Sequence, residues 1–374
     1  MKKFVFTAAA AMTLSAPAFA DFTLGNDERS VTVYGRADLG VVHQNSGTSF
    51  LSQAGGSLTA GDSQLHPGAD SWFGLNAEMK LGDDLRSYIK VQQRFRADTG
   101  AQLNSASEFY GWSYVGLRKI GIGAIELGRQ YVPAAYVMLN ADPFRWDTVA
   151  TISNLSFGAS KNYNGYVATD LARYKNGAYF KSDSVKGFKV VLGYSFQQDN
   201  SLGQAATTSA AVTPDKKGVG NEFGGTVEYQ SGSAYAGLGF DRTSSNASGA
   251  NLAEGQNLRV LTLAYDFGVV KPMLSATRTT VGVALGVLNA SVYTLGAVAP
   301  IGGGELKAVA AKVRQQGPAA QDLSKLGVGY HYWLKKVSTP TESYGTKLYT
   351  DVSTALGNGQ TRTNAIDVGL MVTF

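Results

Sequence analysis

The chain has 374 residues, a formal net charge of +5 and no cysteine, and only 16 % of its residues are charged, against roughly 25 % in a typical soluble domain. So mild a positive balance argues against nucleic acid as a partner, and the missing cysteines exclude a disulfide scaffold. With 45 Gly, 19 Tyr and 17 Phe, the composition suits a β-protein whose surface is not wholly aqueous.

In chain order, residues 1–20 read as a secretory signal. Lys2 and Lys3 supply the positive start, Phe4 to Leu14 the apolar centre, and Ala18-Phe19-Ala20 the small-x-small cleavage site. The mature domain is then expected over 21–374. Later segments stay short of the ~18 apolar residues that a membrane helix needs.

From Val31 onward a period of two takes over. Val31, Val33, Ala37, Leu39 and Val41 share one face, and Thr32, Tyr34, Arg36 and Asp38 the other. Phe73, Leu75, Ala77, Met79 and Leu81 alternate with Trp72, Asn76, Glu78 and Lys80. After a turn at Gly82-Asp83-Asp84, Leu85, Ile89, Val91 and Phe95 alternate with Arg86, Tyr88, Lys90, Gln92, Arg94 and Arg96. Further strands are predicted over 109–118, 122–132, 170–182, 187–199, 219–230, 233–244, 257–267, 270–281, 289–300, 304–315, 323–334, 344–355 and 364–374. The total is about sixteen. The stretch 133–169, with Pro133 and Pro143, breaks the rhythm, and a polar interval at 200–218 follows later.

The final strand is the plainest. Ile366, Val368, Leu370, Val372 and Phe374 fall on one face and Asp367, Gly369, Met371 and Thr373 on the other. A bare terminal edge invites aggregation, so pairing with the first strand to close a barrel is the economical solution. Short connections (82–84, 119–121, 183–186, 231–232, 268–269, 301–303) alternate with longer ones (46–69, 99–107, 133–169, 200–218, 245–256, 282–288), and 335–343 is an exception, long where a short turn is due. Such alternation is the habit of outer-membrane barrels. Large charged residues recur on the polar face, from Arg36 and Asp38 to Glu228 and Asp351. That face must be wet, and a barrel of about sixteen strands is wide enough for an aqueous lumen. The fold class is therefore an all-β, 16-stranded antiparallel transmembrane barrel, with its apolar face on lipid.

The residues also resemble a family. Val31-Thr32-Val33-Tyr34-Gly35-Arg36-Ala37-Asp38-Leu39-Gly40-Val41, Leu127-Gly128-Arg129-Gln130-Tyr131, Asp142-Pro143-Phe144 and Ala264-Tyr265-Asp266-Phe267-Gly268 follow one another in the order and spacing of general porins, as do Arg173, Asn176, Phe180 and Ser182 and the closing Phe374. The chain is similar to the porins of β-proteobacteria over essentially its whole mature length. Trp72 stands where that family usually has Arg. The resemblance implies a homotrimer in the outer membrane that passes small hydrophilic solutes and ions. The alternative is a solute-selective channel for anions or sugars.

It further implies that 133–169 folds inward as a constriction. Loop candidates are Asp142, Asp147 and Asp170, with Arg145 and Lys161 in the same region. Wall candidates are Arg36, Lys90, Arg94, Arg129, Arg173 and Lys175. An excess of wall cations predicts a mild anion preference. Arg129 has a parity conflict: simple alternation from Leu127 points it at lipid, at about 2–4 kcal/mol near the midplane. A β-bulge or strand end there is expected to turn it inward. His43, His66 and His331 are far apart in sequence, no nucleophile elbow or phosphate loop is present, and no enzyme, metal or cofactor is expected.

Overall fold

A strand that alternates apolar and polar residues must find two different environments. The structure, a computed structural model, answers this with a closed barrel. It describes residues 22–45, 61–103, 109–152, 155–156, 172–196, 221–243, 256–283, 286–317, 320–338, 343–357 and 361–374. The expected signal at 1–20 lies outside these residues.

The elements are β1 (Phe22–Gly25), β2 (Arg29–Gln44), β3 (Ser63–His66), β4 (Ser71–Lys80), β5 (Leu85–Phe95), β6 (Ser113–Lys119), β7 (Gly123–Tyr131), α1 (Pro133–Leu139), β8 (Arg173–Ser182) and β9 (Phe188–Ser195). Then follow β10 (Glu222–Ser231), β11 (Ala234–Thr243), β12 (Gln256–Tyr265), β13 (Lys271–Val283), β14 (Gly286–Ile301), β15 (Gly304–Gln316), β16 (Leu323–Ser338), β17 (Ser343–Gly357) and β18 (Thr363–Thr373). Each long strand pairs antiparallel with the next, and β18 returns to β2, closing a 16-strand barrel. The two short strands prolong others along β2. β3 continues the line of β4, and β1 continues that of β18. Phe374 and Gly35 exchange two backbone hydrogen bonds at 2.8 and 2.9 Å where β18 ends. The terminal edge is thereby paired along its whole length.

The outer face is apolar. Ile366, Val368 and Leu370 of β18 are 41–52 % exposed, whereas Asp367 between them is fully buried. Aromatic side chains mark strand ends on that face, among them Phe73, Phe240, Tyr265 and Phe267. So large an apolar surface is stable only against lipid.

Two predicted connections are corrected. The interval 335–343 is mostly strand: β16 runs to Ser338 across a bulge at Trp333/Lys335, and β17 begins at Ser343. The connection predicted at 282–288 shrinks likewise, because β13 reaches Val283 and β14 starts at Gly286.

The inner face departs further from expectation. Leu258, Val260, Val292, Val309, Val313 and Leu323 point inward yet are buried and apolar. Their partners are not water but the segment after β7. Val132, Ala134, Ala135, Val137 and Met138 pack on Leu258 and Val260. Phe144, Val149, Ala150, Ile152 and Leu155 pack on Val292, Val309, Val313 and Leu323. Pro133 opens the short helix α1 at a position where its fixed φ suits a first turn, and Pro143 prevents the helix from resuming. The wall has glycine where the segment presses closest. A Cβ at Gly296 would come within 2.7 Å of the Pro143 ring, and one at Gly327 within 2.7 Å of the Ala150 carbonyl.

Candidate functional site

The described part of the infolded segment spirals round the inner wall. It passes over β9 to β12 as α1, meets β14 at Pro143, β16 at Phe144 and Ala150, and β17 where Ser353 Oγ donates to the Val149 carbonyl at 2.8 Å. Its tip then reaches the break between β3 and β4. Thr148 N–H donates to the Gly68 carbonyl there at 2.6 Å. That break is held from behind by Asp38, whose Oδ1 accepts from Gly68 N–H (2.7 Å), Ala69 N–H (3.0 Å) and the Tyr349 hydroxyl (2.8 Å).

The tip is built on Asp142. This carboxylate is 2 % exposed. It accepts from the backbone N–H groups of Phe144, Trp146 and Ile152 at 2.9–3.2 Å and from the Thr151 hydroxyl at 2.7 Å. Burial pushes its carboxyl up from the usual range, against the pull of these donors. Lys325 of β16, also buried, donates to the Thr151 carbonyl. The network holds a backbone that would not otherwise persist. Arg145, Trp146 and Thr148 have φ of 52°, 67° and 63°, a region costing a non-glycine residue of order 1–3 kcal/mol.

Asp142 is therefore not a charge facing the lumen. Asp147 is the loop acid that meets the wall: Arg36 donates to both its oxygens, Nη1 at 2.8 Å and Nη2 at 3.1 Å. The same guanidinium donates through Nε to the Asp70 carbonyl at 2.7 Å and lies 5.5 Å over the Trp72 ring. Arg94 pairs with the Asp70 carboxylate. Asp170 and Lys161 lie outside the described residues.

Three of the remaining wall cations, Lys90, Arg129 and Arg173, lie over aromatic rings. Lys90 Nζ is 4.8 Å from the centre of the Tyr34 ring. Arg129 Nε donates to the Tyr110 carbonyl at 2.9 Å, and its guanidinium sits 4.9 Å over the Tyr110 ring. Arg173 lies 4.6 Å over Tyr131 and 5.5 Å over Tyr110. Trp112, Tyr136 and Trp146 pack edge-on round Tyr131 at 4.6–5.8 Å. The register between β7 and β8 slips between Gly128 and Gln130, which leaves Arg129 in a bulge. That irregularity frees Arg129 from the strict alternation that would aim it at lipid. Lys175, half-buried, sits across the same irregularity beside Asn176, whose φ is 49°.

Sequence reasoning missed several members. Asp70 joins Arg36 to Arg94. Lys181 pairs with Glu126 at 2.7 Å. On β16 and β17, Lys347 Nζ lies 3.3 Å from His331 Nδ1, and His331 Nε2 lies 3.1 Å from Asp351. Because an ammonium can only donate, Nδ1 accepts and Nε2–H donates to Asp351. A usable signal was Asp142 with Thr151 and a run of amides between them, the composition of a side-chain-capped turn. Alternation put Asp351 on the wet face but gave no sign of its partners.

Comparison with known proteins follows this geometry. A family model described as Gram-negative porin matches residues 7–365. The chain is 27 % identical over 217 residues to an outer membrane porin protein of Bordetella pertussis, an alignment covering 57 % of this chain and 52 % of that protein. The chain thus spans about half the length of that curated relative. Among solved structures, an anion-selective porin from Comamonas acidovorans superimposes with a TM-score of 0.69 at 23 % identity, covering 93 % of this chain and all of that one. OmpT of Vibrio cholerae, in its trimer form, does so with a TM-score of 0.62 at 14 % identity, again over 93 % of this chain. At such identities the two likenesses speak for the fold alone.

Proposed function

Since this chain belongs to the Gram-negative porin family, we propose that it forms a water-filled channel of the outer membrane for small hydrophilic solutes and ions, with a mild preference for anions. One observation carries the preference. The described acids nearest the eyelet are already engaged, Asp147 by Arg36, Asp70 by Arg94 and Glu126 by Lys181, while Asp142 is buried within the loop. The β2–β8 wall also carries Lys90, Arg129, Arg173 and Lys175, and this excess of cations over the acids just named supports the preference. Guanidinium stays charged at any relevant pH, so the preference persists across the physiological range. A ring of one sign in a narrow water-filled gap biases which ion enters.

In this reading residues 1–20 are removed on export, 21–374 form the barrel, and 133–169 form its constriction. Three copies assemble into the working unit. Channel-forming families of this kind carry solutes rather than transform them. The rings of Tyr110, Trp112 and Tyr131 beside Arg129 and Arg173 favour a second reading, a channel selective for anions or sugars. Reconstitution in a planar bilayer tests the first reading. A reversal potential in a KCl gradient that favours chloride is expected; a silent protein or clear potassium preference would overturn it. Liposome swelling with neutral sugars and organic anions of equal size separates the two readings.

A further inference from the structure

The apolar coat of the barrel is interrupted by a row of cations. Arg242 of β11 keeps step with Leu238 and Phe240, Arg259 of β12 with Leu261 and Leu263, Arg278 of β13 with Leu274, and Arg314 of β15 with Leu306. All four arginines are exposed, whereas Asp241, Val260, Thr279 and Val313 beside them are buried on the inner side. Because side chains alternate faces along a strand, these guanidinium groups stand on the outside of the barrel and not in its lumen.

Strand register draws them together. Arg259 pairs directly with Arg278, Arg278 with Ser291 of β14, and Ser291 with Arg314. At about 4.8 Å between neighbouring strands, the row from β12 to β15 spans roughly 14 Å. Arg242 pairs with Asn257, two residues from Arg259 on the same face. Like charges directly opposite one another destabilise a sheet. Among the described residues no acidic side chain pairs with any of the four. Asp322, just before β16, is met instead by Lys312 at 3.8 Å.

The height of the row fits one kind of partner. Short turns join these strands at one end, between Ser231 and Ala234, Tyr265 and Lys271, and Ile301 and Gly304, and that end is periplasmic in barrels of this kind. Arg242, Arg259 and Arg314 lie within three residues of the opposite, extracellular ends of their strands. Toward the periplasm the same face continues as Leu261, Leu263, Leu274, Tyr293 and Leu295, all exposed. An arginine facing hydrocarbon is costly at the midplane and tolerated near the headgroups, and its long stem lets the charge reach up to them.

We infer that the outer face of β11–β15 is a binding site for the phosphate groups of an outer-leaflet lipid. Arg259 and Arg278 share a phosphate, which turns their mutual repulsion into a common attraction, and Arg242 and Arg314 extend the site to either side. Guanidinium forks match phosphate oxygens through paired hydrogen bonds. The lipid's chains cover the leucines below, a surface for which a free phosphate has no use. The site is independent of what passes through the lumen.

The test is native mass spectrometry of the purified barrel in detergent, with bisphosphorylated lipid A, its monophosphorylated form and a phosphate-free glycolipid of similar chains. The parent should retain the bisphosphorylated lipid best and the phosphate-free one least. Arg259→Gln/Arg278→Gln should lower that retention by roughly tenfold or more, the factor a hydrogen bond to a charged group contributes. Arg314→Gln should lower it less, and keeps the measurement valid if the double variant assembles poorly. Lys271→Gln, at the turn end of β13, should match the parent. Equal retention by parent and arginine variants, equal retention of the phosphate-free lipid, or displacement by millimolar inorganic phosphate would overturn the proposal. So would loss of the oligomer in the double variant with lipid retention intact, which would assign the row to a contact between copies. Conductance recorded on the same preparations judges the channel reading separately.

Discussion

The two halves of the inner wall obey different rules. From β9 to β17 many inward residues are glycine, valine, leucine and threonine covered by the loop, beside the buried Lys325 and the Lys347–His331–Asp351 cluster. From β2 to β8 they are arginine, lysine, tyrosine and tryptophan, among them the cations stacked on rings. One half is a seat and the other is the face of the pore. The lesson is that an inward position in a wide barrel is not wet by default. What decides is whether the chain supplies something to fill the space above it.

The comparison breaks most visibly if a charge is put into the seat. Val309→Asp buries an unpaired carboxylate under Ile152 and Leu155, and the cost is several kcal/mol. The expected result is loss of assembled barrel, or a sharp fall in the temperature at which the barrel unfolds in a gel-shift assay. Asp142→Ala strips the tip of its cap and orphans three amides and a hydroxyl, each at about 1–3 kcal/mol while buried. The loop should loosen instead of remaining strained, with noisier and larger single-channel currents but a barrel that still forms.

Arg36→Ala acts on the other half. It leaves Asp147 without its bidentate partner, at roughly 1–3 kcal/mol of local stability. The current should lose part of its chloride preference, because a cation goes and a carboxylate is uncovered. The mildest change is Lys90→Glu. Lys90 is only half-buried against Tyr34, so its unfolding temperature should stay near that of the parent, within about 0.5–1 kcal/mol in stability. Its permeability ratio should still move toward cations.

Much of the barrel was legible because its signal is local. In β18, Ile366, Val368 and Leu370 face out and Asp367 faces in, as bare alternation predicts. The Arg129 conflict also pointed correctly to an irregular register. The seat was not legible, because Val260, Val292 and Val309 read like the residues of any two-faced strand. Their burial depends on α1 and Ile152, far away in sequence. The role of Asp142 was hidden for a similar reason. Spacing shows a carboxylate in a loop but not whether its oxygens meet water or the loop's own amides. Most of the break that joins β3 to β4 fell within the predicted 46–69 connection, and Asp70 stands one residue beyond it.

The chain has no cysteine, so each introduced thiol is unique, and the division of the wall can be read directly. Single variants Lys90→Cys and Val309→Cys, reconstituted as open channels, would be exposed to a small anionic thiol reagent while current is recorded. The account predicts rapid modification with partial block at position 90 and none at position 309, where the loop covers the site. Equal rates at the two positions, or faster reaction at 309, would contradict it.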